Sequence, residues 1–147
     1  MGKLNWGRVV VGGMLTGIVL ITFSAIYTTL FSGLNGLHRA IPTFYASAGI
    51  AGVIFFVAAF LILGIVMIWW YAAIRPLFGL GPQTAAIAAV AVWVTAIWLG
   101  VVGFVLKSLA MGEPYSLPTG PTLPILCLVI MIGSTVAGAS VYKERQV

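Results

Sequence analysis

The chain has 147 residues, of which 62% are hydrophobic and only 6% charged, with a formal net charge of +5. A water-soluble domain carries about a quarter charged residues, and nine charged side chains cannot cover such a surface, so a soluble globular protein is excluded. The seven basic residues stand apart at Lys3, Arg8, Arg39, Arg75, Lys107, Lys143 and Arg145, which removes the basic patch that a nucleic-acid partner requires.

Four apolar segments follow one another, running roughly over 9–31, 46–74, 83–106 and 122–142. Each reaches the ~20 residues that a helix needs to cross a bilayer. Only helices satisfy their backbone hydrogen bonds within one segment in lipid, and the short alternating strands of a barrel are missing. The expected fold is therefore all-α: one domain, an integral membrane four-helix bundle.

The first segment starts behind Lys3 and Arg8, as a signal peptide would. Its apolar stretch is longer than a signal core and ends without a small-x-small site, so it reads as an uncleaved span. Gly13, Gly17, Ser24 and Thr28 share one narrow face, and Gly13 with Gly17 forms a GxxxG pair suited to close helix contact. The connection SGLNGLHRAIPTFY, 32–45, carries His38 and Arg39 and has the composition of a short interfacial helix. The second segment offers Ser47, Ala51 and Ala58 as small residues and ends on Trp69, Trp70 and Tyr71, rings that favour a headgroup layer.

The junction WWYAAIRPLFGLGPQTAA, 69–86, is the most distinctive passage. Arg75 falls in a last turn, where a cation complements the helix dipole and can snorkel to lipid phosphate. Pro76 disfavours helix at the residue before it, Gly79 and Gly81 relax the turn, and Pro82 suits the first position of the next helix. A tight cytoplasmic hairpin is expected, built on Arg75, Pro76, Gly79, Gly81 and Pro82. The glycines lack the G-x-G-x-x-G spacing of a dinucleotide turn.

On the third segment Thr84, Ala88, Ala91 and Thr95 form a small-residue stripe, with Trp93 and Trp98 elsewhere on the same helix. The connection MGEPYSLPTGPTLP, 111–124, holds four prolines and is expected to be extended. The fourth segment offers Gly133, Ala137 and Ser140 for packing. Cys127 is the single cysteine and reads as a small apolar residue.

Four spans put both termini on one side, together with Lys3, Arg8, Arg75, Lys143 and Arg145. The other side holds Arg39 and Lys107. Five basic residues against two assigns the termini and the Arg75 turn to the cytoplasm.

No span carries an ionisable residue near its centre, which argues against a proton-coupled transporter. Glu113 and Glu144, the only acids, fall on opposite sides, and no nucleophile motif accompanies His38. The expectation is a protein that is not an enzyme and has no cofactor or metal. It would be an accessory, scaffold or assembly subunit whose partners are membrane lipids and other membrane subunits or itself. The alternative is a bundle that binds or moves a lipid, quinone or pigment, with His38, Trp93, Trp98 and Tyr27 as candidate contacts.

The passages NWGRVVVGGMLTGIV, 5–19, and WWYAAIRPLFGLGPQTA, 69–85, resemble a family of small four-helix bacterial inner-membrane proteins with no assigned activity. Its pattern is an Asn-Trp-Gly-Arg-Val start and a Tyr-Ala-Ala-Ile-Arg-Pro…Phe-Gly…Gly-Pro junction. Arg75, Pro76, Phe78, Gly79, Gly81 and Pro82 match, whereas Leu77 and Leu80 depart from it. The resemblance implies a multi-pass protein of the bacterial inner membrane and leaves the activity open.

Overall fold

The computed structural model describes residues 4–30, 37–111 and 122–142, the side chains of 27–30, 37–48, 97–98, 101–105, 107–108, 111 and 122–124 excepted. These residues are all-helical, with four helices and no strand: α1 (Trp6–Leu30), α2 (Leu37–Phe78), α3 (Pro82–Met111) and α4 (Thr122–Val141). Two stretches, Trp6–Ile26 and Gly49–Phe78, are long and apolar enough to cross a membrane.

The start of α1, the break in α2 and the turn from α2 to α3 each have a local cause. Asn5 caps α1: its carbonyl accepts from the Arg8 and Val9 amides at 3.0 Å each, and its side-chain oxygen accepts from the Arg8 amide at 3.4 Å. A side-chain oxygen reaching the third helical amide is the usual N-cap arrangement. α2 begins at Leu37, well before the expected 46, and its axis is broken at Gly49, whose φ of 59° and ψ of −149° are non-helical. That region is open essentially to glycine alone. The sequence expectation of an interfacial helix within 32–45 thus meets a helical backbone from Leu37 to the break.

At its other end α2 does not stop before Pro76 but continues to Phe78. A proline near the C-terminus of a helix removes one hydrogen bond and leaves the rest of the ladder in place. The Gly79 amide then donates to the Arg75 carbonyl at 2.8 Å and closes the last turn. Gly79 and Gly81 follow at φ 81° and 141°, values that L side chains rarely adopt, and Pro82 opens α3.

Consecutive helices pack side by side, α4 returns to α1, and α2 meets α4 across the short diagonal. Among the described residues α1 and α3 do not touch. The closest approaches are made by glycines. A Cβ on Gly64 would meet the backbone of Gly13 and Gly17, one on Gly17 would lie 2.8 Å from Leu61 Cα, and one on Gly12 would lie 2.9 Å from the Gly138 carbonyl oxygen. Backbone-to-backbone packing of this kind gains dispersion and weak C–H···O contacts that larger side chains would prevent. The GxxxG pair of α1 is therefore spent inside the chain, against α2.

Hydroxyls enter this core without stranding a donor. Thr16 donates to the Gly12 carbonyl at 3.0 Å, Ser134 to Ile130 at 2.7 Å and Thr135 to Met131 at 2.7 Å. Back-bonding one turn away satisfies the donor locally, so small polar residues serve as packing atoms.

Among the described side chains, burial is concentrated in one half of the bundle. It runs from the Arg75 end down to Leu20, Met67, Ala89, Val92 and Met131. Beyond Leu20, Phe60, Val92 and Met131, Gly52 is the one buried position among the described side chains.

Candidate functional site

The most structured group of polar and aromatic side chains sits where the start of α1, the end of α2, the start of α3 and the end of α4 converge. Arg8 of α1 donates from Nη1 to the Val141 carbonyl of α4 at 3.5 Å. Tyr71 and Tyr142 meet edge to face with ring centroids 6.0 Å apart. The Arg75 guanidinium lies over the Tyr142 ring, 5.5 Å from its centroid. Val9, Ile68, Ala72, Ala85, Ala88 and Ala139 surround the tyrosines in one buried cluster.

Helix phase explains why Arg75 joins them. It stands three, four and seven residues after Ala72, Tyr71 and Ile68, so all four project from one face. Arg75 is only 9% exposed. The expectation that it snorkels to lipid phosphate is therefore corrected: α2 continues past it, and its side chain is directed into the bundle under Tyr142. A cation over a ring face gains from the ring quadrupole, more so when shielded from water.

Thr84 latches the turn. Its hydroxyl lies 2.8 Å from the Gly79 carbonyl and 3.4 Å from the Phe78 carbonyl. Those carbonyls belong to the end of α2 and the glycine beyond it, where acceptors lack helical partners. Of the expected hairpin residues, Pro76 and Pro82 are exposed, Gly79 is exposed and Gly81 half-buried.

No protein-family model, curated protein or solved structure matches the chain.

The remaining sequence candidates fall in different places. Gly13 and Gly17 are buried against α2, and Ser24 is half-buried. On α3, Thr84 and Ala88 are buried, Ala91 is half-buried, and Thr95 is exposed with its hydroxyl donating to the Ala91 carbonyl at 2.9 Å. On α4, Ala137 is half-buried, while Gly133 is exposed with nothing within 4 Å of an added Cβ. The buried face of α4 lies one residue on, at Ser134, Thr135, Gly138 and Ala139. Ala51 and Ala58 of α2 are exposed. Trp93 is half-buried and packs with Phe60 and Leu63 on the lower core cluster. The side chains of Tyr27, Thr28, His38, Ser47 and Trp98 lie outside the described residues, as do Glu113 and Glu144. Among the described residues no group of three metal-ligating side chains occurs.

Sequence reasoning missed Gly12, Gly64 and Gly138. Gly12 adjoins the GxxxG pair and could have been read as a second contact face. Gly64 and Gly138 carry no motif of their own; only the partner helix gives them a role.

Proposed function

We propose that the chain is an integral, multi-pass membrane protein of four spans, with both termini in the cytoplasm, and that it works without catalysis as an accessory, scaffold or assembly subunit. Its partner is a larger membrane complex or further copies of itself. A bacterial inner membrane is the setting that the sequence resemblance implies.

The membrane part rests on outward-facing apolar residues along every helix, including Val11, Ile18, Phe55, Ile62, Leu99 and Val129. In water such a surface would aggregate; in lipid it is the expected exterior. The orientation rests on the basic bias of the end that holds Arg8 and Arg75.

The observation that carries the subunit reading is a set of small residues that stand uncovered among the described side chains. Past the level of Leu20 and Phe60 the described helices leave small residues uncovered, among them Ala51, Ala58, Thr95 and Gly100, and Gly133 joins them on α4. Bulky apolar side chains are well solvated by acyl chains, but shallow small-residue faces gain more from a packed helix. A partner helix would complete them.

Native mass spectrometry after gentle extraction tests this. Additional polypeptides, or a defined multiple of the chain, support the subunit reading. A stable lone chain overturns it. Single cysteines placed before Leu4 and after Tyr142, in a Cys127→Ser background, should react with impermeant maleimide only from the cytoplasmic side. Reaction from the outside refutes the orientation.

A further inference from the structure

We propose that the corner formed by Arg8, Trp6 and the end of α4 binds the headgroup of an anionic phospholipid. The inference rests on the membrane reading above and names which cation of that end meets the lipid.

Two described cations occupy this end, and the fold treats them oppositely. Arg75 is withdrawn beneath Tyr142. Arg8 is exposed, and among the described residues its side chain donates from Nη1 to the Val141 carbonyl at 3.5 Å. A guanidinium has five N–H donors in a planar fork. The contact with Val141 links the Arg8 side chain to the end of α4, and the guanidinium has further N–H donors to offer a ligand. Phosphate oxygens are the acceptors that such a fork suits best.

The surroundings fit a lipid in particular. Trp6 is 62% exposed, and Trp69 and Trp70 on the adjacent α2 are 39% and 41% exposed. Glycine contacts pair Gly13 with Ile65 and Gly17 with Leu61. Extending that antiparallel register brings Trp6 level with Ala72, so the three indoles fall within about one helical turn of one another along the bundle axis. Exposed indoles at one depth mark a membrane–water boundary, and Arg8 sits at that depth.

Charge separates anionic from zwitterionic lipid. Lys3 immediately precedes Leu4, Lys143 and Arg145 follow Tyr142, and Glu144 is the single nearby acid in sequence. Together with Arg8 these give four cations against one carboxylate. In sequence, the stretches flanking this corner are thus basic on balance, and basic segments beside a membrane favour a headgroup with net negative charge over a zwitterionic one. A soluble anion lacks the acyl chains that hold a lipid beside Trp6.

The test uses the full chain in nanodiscs of equimolar phosphatidylglycerol and phosphatidylcholine, with retained lipids counted by native mass spectrometry. The wild type should retain phosphatidylglycerol in clear excess. Arg8→Gln should lower the retained ratio about fivefold, the effect of one basic side chain at an anionic surface. Arg8→Lys, which keeps the charge but not the planar fork, should fall between wild type and Arg8→Gln, and Lys107→Gln should keep all of the preference. A wild-type ratio equal to that of the nanodisc, or an Arg8→Gln ratio equal to wild type, overturns the proposal. A chain that inserts without lipid preference overturns this inference alone. A chain that fails to enter nanodiscs overturns the membrane reading with it.

Discussion

Replacing Gly64 by alanine sets a methyl carbon against the backbone of α1, and the size of the response can be worked from the contact itself. The added carbon would lie 2.5 Å from the Gly17 amide nitrogen and 3.0 Å from Gly17 Cα, and it would also overlap the Gly13 carbonyl oxygen. Ordinary van der Waals contact begins at 3.4 Å, so the two helices must part by roughly 1 Å. Main-chain atoms cannot rotate aside as a flexible side chain would. Overpacking typically costs ~1–3 kcal/mol, and a gap of this width forfeits a quarter to a half of each dispersion well along the interface. We therefore expect a loss of about 3 kcal/mol, close to a hundredfold in the folding equilibrium. The assay is SDS titration of the purified protein in mild detergent, followed by far-ultraviolet circular dichroism. Gly7→Ala, where the nearest atom to the new carbon is the Asn5 side-chain oxygen at 3.7 Å, is the matched control and should match or exceed wild-type stability, as alanine favours helix over glycine. A Gly64→Ala protein as stable as that control would refute the glycine contact between α1 and α2.

Thr84→Val removes the hydroxyl that bridges α3 to the Gly79 carbonyl; a loss of ~1 kcal/mol is expected, with faster amide hydrogen exchange at Gly79 as the local readout. Gly79→Ala, at φ 81°, should cost ~1–3 kcal/mol through backbone strain alone, measurable by the same SDS titration. Phenylglyoxal should modify Arg8 quickly and Arg75 slowly in the folded protein, with sites assigned by peptide mass spectrometry; Tyr142→Ala should raise the Arg75 rate, and an unchanged rate would show that Tyr142 is not its cover. Gly133→Leu should shift the native assembly toward lone chains while leaving α-helix content intact.

Much of the fold was legible because long apolar helical segments announce themselves by length and composition. Expected boundaries at 9–31, 83–106 and 122–142 lie close to Trp6–Leu30, Pro82–Met111 and Thr122–Val141. The second helix was the exception at both ends. Pro76 reads as a terminator, yet near a helix end its missing amide costs little, and the Gly79 amide restores the final turn. Gly49 gives no warning of a break, since glycine is common inside membrane helices. The facing of α4 was hidden for another reason. GSTVAGAS, 133–140, is small on every side, so composition cannot choose a face when each residue turns the helix by ~100°. Only contact with Gly12 and Thr16 selects Gly138. The Arg75 cluster was obscured by the same rule that located it: an arginine near a helix end usually reaches outward, and Tyr142, the ring that covers it, comes from a helix far away in sequence.

The cover over Arg75 also has a place in time. Tyr142 follows the last of the four helices, and Gly138, which seats against Gly12 and Thr16, belongs to that helix too. During synthesis α1 and α2 can join through Gly13, Gly17 and Gly64 as soon as both exist, whereas the guanidinium waits for α4. A chain halted before that point lacks the Tyr142 ring over Arg75 and leaves the glycine seat on α1 empty. The finished chain conceals both, so the last helix turns an unfinished surface into a sealed one.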